Sequence, residues 1–270
     1  MRQLTRGELP KDAAKNLKSY QARVDKEASY AGKIEAARNM FRSTNTRNNK
    51  SFRQIREALT KMSRGNNRCA YCEDSVAEDV EHFQPKSWYP ELCFVWENYL
   101  YACGPCNGRK SNRFAVIAPV SGEIIHLVRE PKAIPIPPVE GEPLMIDPSR
   151  ENPLDFLFLD LSGTFRYLPQ RRLTDQQKAR AVYSIETLQL NDRAHLVEGR
   201  ADAFETYWHH LTLYVRQKID GSVADMARTR HSLLKLSFSS VWEAMKSQRH
   251  LDPGLNELLE KAPEALRWCL

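Results

Sequence analysis

Four of the six cysteines in the sequence form two Cys-x-x-Cys pairs, Cys69/Cys72 and Cys103/Cys106. Two residues between thiolates allow one turn of backbone to direct both sulfurs at a tetrahedral Zn²⁺, and a second pair completes its coordination shell. Four thiolates leave no coordination position for a substrate. The spacing therefore predicts a structural zinc site rather than a catalytic one.

The segment from 68 to 114 holds both pairs, and its pattern predicts a strand, a second strand and a helix. Residues 76–82 have an extended pattern that ends before Pro85, which does not fit a paired central strand. An aromatic run over residues 94–101 predicts a second strand or the approach to a helix. After Cys103 the sequence fits a short helix, because proline near a helix start is well tolerated.

Within these 47 residues the sequence contains, in order, Cys-x-x-Cys, an acidic residue before His-x-x-Pro, a central Asn, and Cys-x-x-Cys-Asn-x-x-Lys. This order resembles the HNH endonucleases, the ββα-metal fold, in their four-cysteine form. The resemblance implies roles for six residues: His82 as general base, Glu81 and Asn107 as ligands of a catalytic divalent ion, Asn98 as a brace for the loop that carries the base, and Lys110 and Arg109 facing phosphate. Glu81 stands where many relatives have Asp.

Phosphodiester hydrolysis calls for the same residue types on chemical grounds. A neutral imidazole, with an ordinary pKa near ~6.5, can accept a proton from the attacking water at physiological pH. A carboxylate and an amide oxygen suit Mg²⁺ or Mn²⁺, which would bear the charge that develops on the phosphate and the leaving oxygen. We therefore expect two metals, a tightly held structural zinc and a weakly held catalytic Mg²⁺ or Mn²⁺.

Shorter similarities lie outside this segment, at residues 52–56, 146–148 and 187–191 and at Arg200. Together they resemble one branch of HNH proteins, in which nuclease subunits accompany an SMC-like or ABC-type ATPase in bacterial anti-phage systems of the Septu type and in certain retrons. The resemblance implies a nuclease that an ATPase partner restrains or activates. The sequence contains no Gly-x-x-x-x-Gly-Lys phosphate loop, so ATP hydrolysis is expected from another chain.

The basic charge of the chain is concentrated at one end. Residues 1–68 hold 17 Lys and Arg against 6 Asp and Glu, although the whole chain carries a formal charge of only +6. Clustered cations displace counterions from a phosphate backbone. The candidate nucleic-acid contacts are Arg53, Arg56, Lys61 and Arg64. The same residues would serve equally well as a docking face for a protein, or as a solvated helix face.

The composition is that of an ordinary globular protein, with 41% hydrophobic and 27% charged residues in 270. No apolar run approaches the ~18 residues that a membrane span needs. The N-terminal stretch lacks the apolar segment of a secretory signal, so the expected location is the cytoplasm, with no membrane partner.

We expect a mainly helical α+β fold with a zinc-stapled ββα-metal (HNH) core and a C-terminal helical bundle. The predicted regions are a basic helical region at 1–67, the nuclease core at 68–114, a Pro-rich connection at 115–153, and a hairpin plus helical region at 154–270. The periodicity of apolar residues predicts single helices over 11–42 and 223–246, and a stripe of Val182, Ile185 and Leu188 on another helix.

Three functions fit this pattern. The first is a metal-dependent endonuclease of a defence complex that cuts DNA. The second is an RNA-directed nuclease, for instance one that cuts tRNA, because the same hydrolytic machinery would serve. The third is a zinc-stapled binding or adaptor protein whose HNH residues do not cleave.

Overall fold

The computed structural model describes residues 1–63, 67–130 and 132–268. About half of these residues are helical, and the strands form small antiparallel sheets, which confirms an α+β fold. The helices are α1 (Lys11–Asp25), α2 (Tyr30–Thr44), α3 (Lys50–Met62), α4 (Gly104–Lys110), α5 (Asp175–Thr187), α6 (Ala194–Ile219), α7 (Val223–Leu233), α8 (Ser239–Gln248) and α9 (Pro253–Lys261). The strands are β1 (Asp79–His82), β2 (Tyr99–Ala102), β3 (Ala115–Ile117), β4 (Ile124–His126), β5 (Glu142–Pro143), β6 (Leu157–Leu159) and β7 (Tyr167–Pro169).

The N-terminal region contains two helices where the sequence predicted one over 11–42. The chain leaves the helical conformation after α1, and Ser29 then starts α2 by accepting a hydrogen bond from the backbone N–H of Gly32. Such N-caps satisfy backbone donors that a helix start leaves unpaired. The apolar residues keep their helical spacing across the break, so periodicity alone did not reveal it.

Two antiparallel strands followed by a short helix carry the predicted site residues. Strands β1 and β2 pair antiparallel, with Glu81 opposite Leu100 and His82 opposite Tyr99. Helix α4 follows β2 directly and packs on β1. Because alternate side chains of a strand point to opposite faces, Glu81 and His82 leave β1 in different directions.

The connection after this unit is only partly extended. Strand β3 forms a three-stranded sheet with β4 and β5, and the prolines lie mostly between those strands. Next in the chain, β6 and β7 form the antiparallel hairpin around Ser162-Gly163.

The C-terminal region is helical, with two departures from the sequence pattern. Thr174 and Gln177 form the capping box that begins α5, but Val182 faces solvent, while Ile185 and Leu188 are buried. The helix predicted over 223–246 is interrupted before α8 at Phe238, whose φ is +56°. The Phe238 ring lies against Gly199 of α6, where an added Cβ would stand 2.8 Å from a ring carbon.

Among the described residues, no helix combines the length and the apolar character needed to cross a bilayer.

Candidate nuclease and zinc site

The four paired cysteines meet in one buried cluster. The Sγ atoms of Cys69, Cys72, Cys103 and Cys106 all lie within 4.8 Å of one another, and the sulfurs of Cys72 and Cys103 are 3.8 Å apart. Tetrahedral Zn²⁺ with Zn–S bonds of about 2.3 Å separates its sulfurs by about 3.8 Å. The geometry therefore fits a structural zinc site, as the spacing predicted.

One arginine from a distant part of the chain touches this cluster. The Arg193 guanidinium lies 3.3 Å from the Cys106 sulfur, and its other contacts are the carbonyls of Leu188 and Gln189. Four thiolates around Zn²⁺ carry a net charge of −2, so a neighbouring guanidinium offsets part of this charge. This contact could not be predicted from the sequence, because Arg193 lies outside every motif.

His82 is held by its ring nitrogen Nε2, which is 2.9 Å from the Cys93 carbonyl oxygen. A carbonyl only accepts, so Nε2 carries the proton and Nδ1 carries the lone pair. Tyr99 donates its hydroxyl to the same carbonyl at 2.7 Å. Burial lowers the pKa of His82 well below its ordinary value, and the positive charge of Lys86 adds to this effect. The imidazole is therefore neutral at pH 7.

An aromatic side chain of α2 covers the His82 ring. The Phe41 ring packs edge-on against it with centroids 4.4 Å apart, and Lys86 lies over the Phe41 ring with its Nζ 5.0 Å from the centroid. Only 3% of His82 is exposed. In this arrangement the imidazole has no free path to a bulky substrate.

Glu81 points to the other side of the hairpin, toward α4. Its Oε1 lies 2.6 Å from Nζ of Lys110, a fully buried lysine. Lys110 also donates a hydrogen bond of 2.9 Å to the His82 backbone carbonyl. Burial raises the pKa of Glu81, although the charge of Lys110 opposes the rise.

Asn107 is oriented by an aspartate that the sequence analysis did not select. Its Nδ2 donates to Oδ2 of Asp79 at 2.9 Å. Because a carboxylate only accepts, the amide nitrogen faces Asp79 and the amide oxygen Oδ1 remains available as a ligand. Asp79 lies two positions before Glu81 on β1, so both side chains leave the strand on the same face. This spacing could have identified Asp79 from the sequence.

Asn98 ties the segment after β1 to the start of β2. Its Oδ1 accepts from the Gln84 backbone N–H at 2.8 Å, and its Nδ2 donates to the carbonyls of Gln84 and Leu92. These three bonds fix both ends of the loop between the strands.

The structure thus brings three of the selected residues to one side of the hairpin. On the side of β1 that packs on α4, Glu81 pairs with Lys110, and Asn107 bonds to Asp79 two positions before Glu81. The His82 ring instead has neighbours from α2 and from the loop before β2.

The basic residues proposed as nucleic-acid contacts differ in their surroundings. Arg56 donates to Asn45 and Thr46 at the end of α2, whereas Arg53 and Lys61 are exposed. Arg109 contacts the Gln189 side chain. Arg64 lies outside the described residues.

Comparison with known proteins links part of this chain to a defence protein. Over 71 residues it is 42% identical to the Septu protein PtuB of Bacillus thuringiensis. The aligned segment covers 24% of this chain and 27% of the Bacillus protein, so the match spans about a quarter of that relative. No family model matches the sequence, and no solved structure matches it.

Proposed function

We propose that this chain is a metal-dependent HNH endonuclease that hydrolyses phosphodiester bonds in nucleic acid, DNA in the first instance, as the effector of an anti-phage defence complex. One observation carries the proposal. His82, neutral and with its tautomer fixed, directly follows Glu81 in the chain, and the Glu81 carboxylate faces helix α4, which carries the Asn107 amide. A zinc-type cysteine cluster joins the helix to the loop before the hairpin.

His82 is the base in this proposal. The Cys93 carbonyl holds the proton on Nε2, so Nδ1 would take the proton of the attacking water. This role requires a neutral imidazole, and burial supplies it. Asn98 supports His82 indirectly, by fixing the loop that carries the Cys93 carbonyl.

Glu81 and Asn107 are the proposed ligands of the catalytic Mg²⁺ or Mn²⁺. The donor set fits a hard cation, because the Asn107 amide presents oxygen while Asp79 holds its nitrogen. A divalent ion bound there would act as a Lewis acid on the scissile phosphate. Lys110 holds the Glu81 carboxylate in place, and because its charge opposes a second cation there, the ion is expected to bind weakly until substrate phosphate adds its oxygens.

The closed arrangement around His82 supports control of the nuclease by a partner. Phe41 must move before a phosphodiester can approach Nδ1, and α2 carries that side chain. We assign this control to an ATPase subunit of the SMC-like or ABC type, on the basis of the partial similarity to PtuB and of the family resemblance.

The test is digestion of plasmid DNA and of total RNA with Mg²⁺ or Mn²⁺, by the chain alone and with the products of neighbouring genes. Wild type should cleave, His82→Ala should not, and a His250→Ala control should behave as wild type because His250 is exposed. Zinc content should be equal in all three and each should stay folded, although His82→Ala should melt at a lower temperature because it leaves a cavity beside Phe41. Loss of zinc or of folding in His82→Ala would instead make the histidine structural.

One observation also supports a second function. Because His82 is covered and Glu81 is neutralised by Lys110, the chain also fits a zinc-stapled adaptor that binds without cleaving. Binding of nucleic acid or of a partner, without cleavage under any of the conditions above, would favour this alternative.

A further inference from the structure

A cleft of about 610 Å³ opens beside helix α4, and its lining is strongly positive. Arg38 of α2, Arg113 after α4 and Arg129 after β4 all face it. Among the described residues that line the cleft there is no Asp or Glu. Three guanidinium groups share the space without a carboxylate to offset their charge.

Arg129 is held in a fixed position by its neighbours. The Arg129 guanidinium stacks on the Trp88 ring with its Cζ 4.2 Å from the centroid, and it donates to the Ser87 carbonyl at 3.1 Å. Asn112 in turn holds Ser87 and Trp88 in place. Its Oδ1 accepts a hydrogen bond from the Ser87 hydroxyl at 2.8 Å, and its backbone carbonyl accepts one from the Trp88 indole N–H at 3.1 Å. A guanidinium that is fixed in this way loses little freedom when it binds an anion.

The other two arginines are free to bind. Arg38 and Arg113 are exposed, and within the described part of the chain neither forms an ion pair with a carboxylate. Because no carboxylate among the described lining residues offsets these charges, the cleft favours an added anion over an added cation.

The cleft continues from the proposed catalytic residues. Its lining includes Gly108, which follows Asn107, and Ser111, which follows Lys110. Arg38 lies one helical turn before Phe41, the residue that covers His82. A strand lying in the cleft would thus run past Asn107 and would contact the helix that closes the site.

We propose that this cleft binds the sugar-phosphate backbone of the nucleic acid, with Arg38, Arg113 and Arg129 as phosphate contacts. The inference rests on the proposed function and names the surface on which the substrate lies. Arginine suits the role, because its planar fork matches phosphate oxygens in pairs. A polyanion fits the cleft better than an acidic peptide does, because three separated cations along one groove match a repeating charge.

The test measures binding without added divalent ion, so that cleavage does not enter. Anisotropy of a fluorescein-labelled 30-base-pair DNA gives Kd between 50 and 200 mM salt, and a matched RNA duplex provides the second arm. Each phosphate contact contributes about 0.9 to the slope of log K against log salt on duplex DNA. Arg38→Gln and Arg113→Gln should each lower that slope by about 0.9, and the triple variant with Arg129→Gln by about 2.7.

Arg228→Gln is the control, because Arg228 is exposed on α7, outside the cleft, and should leave slope and Kd unchanged. The two exposed positions keep the test valid if Arg129→Gln impairs folding. An unchanged slope in a folded Arg38→Gln/Arg113→Gln variant would overturn the proposal, as would wild-type protein that binds neither DNA nor RNA. Binding through the cleft without cleavage would remove the proposed nuclease activity and leave the cleft assignment standing.

Discussion

Lys110 and Glu81 form an ion pair of 2.6 Å in which the lysine is completely buried and the glutamate is nearly so. Removing one partner of a buried pair leaves an uncompensated charge in the interior, which costs about 3–5 kcal/mol. We therefore expect Lys110→Met to lower the free energy of unfolding by about that amount. Chemical denaturation of the zinc-loaded protein measures it.

The double variant Glu81→Gln/Lys110→Met is the control for this prediction. Because it removes both charges together, it should be clearly more stable than Lys110→Met alone. Equal stability of the single and the double variant would show that the pair is not coupled as the geometry indicates.

Removing a cluster cysteine should release the zinc. Cys103→Ser is expected to lower zinc stoichiometry and melting temperature together, because metal binding and folding are coupled. Cys93→Ser is the matched control: Cys93 is also buried, but it lies near the Ala37 carbonyl and outside the cluster. Elemental analysis and thermal melts measure both. A Cys103→Ser protein with full zinc content would refute the four-cysteine site.

The guanidinium beside the cluster should strengthen zinc retention. Arg193→Gln removes a positive charge 3.3 Å from the Cys106 sulfur, and losses of outer-shell partners weaken metal binding by about 10- to 100-fold. Competition with a chromogenic chelator measures the zinc affinity. Arg216→Gln, at an exposed position of α6, should retain wild-type affinity. Equal affinity in the two variants would show that the Arg193 contact is incidental.

Asp79 should matter for cleavage through Asn107. Asp79→Ala removes the acceptor of the Asn107 Nδ2 hydrogen bond, so the orientation of the Asn107 amide oxygen is lost. We expect the Mg²⁺ concentration for half-maximal cleavage to rise by about 10-fold or more, with the zinc content unchanged. Glu78→Gln, at the exposed neighbouring position, is the control. The same metal requirement in both variants would contradict the positioning role.

Phe41 should protect His82 from reagents in solution. In wild-type protein, diethyl pyrocarbonate should modify His82 much more slowly than the exposed His195 and His250, as resolved by peptide mass spectrometry. Phe41→Leu opens space beside the imidazole and should speed the modification of His82. Phe114→Leu, which removes a buried ring that contacts Phe83 and Tyr89 instead, should not. Equal protection of His82 in the two variants would show that a residue other than Phe41 shields the imidazole from solution.

The hairpin, the short helix and the cysteine cluster could be predicted because their signals are local. The spacing of the cysteines sets the metal geometry, and Pro85 limits the first strand. The capping box at Thr174 likewise lies within four residues. Each of these signals is a short motif, although the two cysteine pairs that meet in the cluster lie 31 positions apart, between Cys72 and Cys103.

The features that sequence analysis missed depend on contacts between distant segments. The helix predicted over 223–246 is interrupted between Leu233 and Ser239, where Phe238 packs its ring on Gly199, and the apolar periodicity does not reveal that contact. Val182 follows the helical spacing but faces solvent. The cover of His82 by Phe41, and the arginines of the cleft, come from elements that are remote from the HNH motif in the chain.

Helix α4 has only seven residues, begins directly after Cys103, and carries Cys106 and Asn107 side by side. A helix of this length does not persist in water without outside support. Each molecule that has lost its zinc therefore also loses the platform for its proposed magnesium ligand. Cleavage rates from different preparations are comparable only when they are expressed per mole of bound zinc. Oxidants that attack thiols would inactivate the protein by releasing the zinc that holds α4 in place.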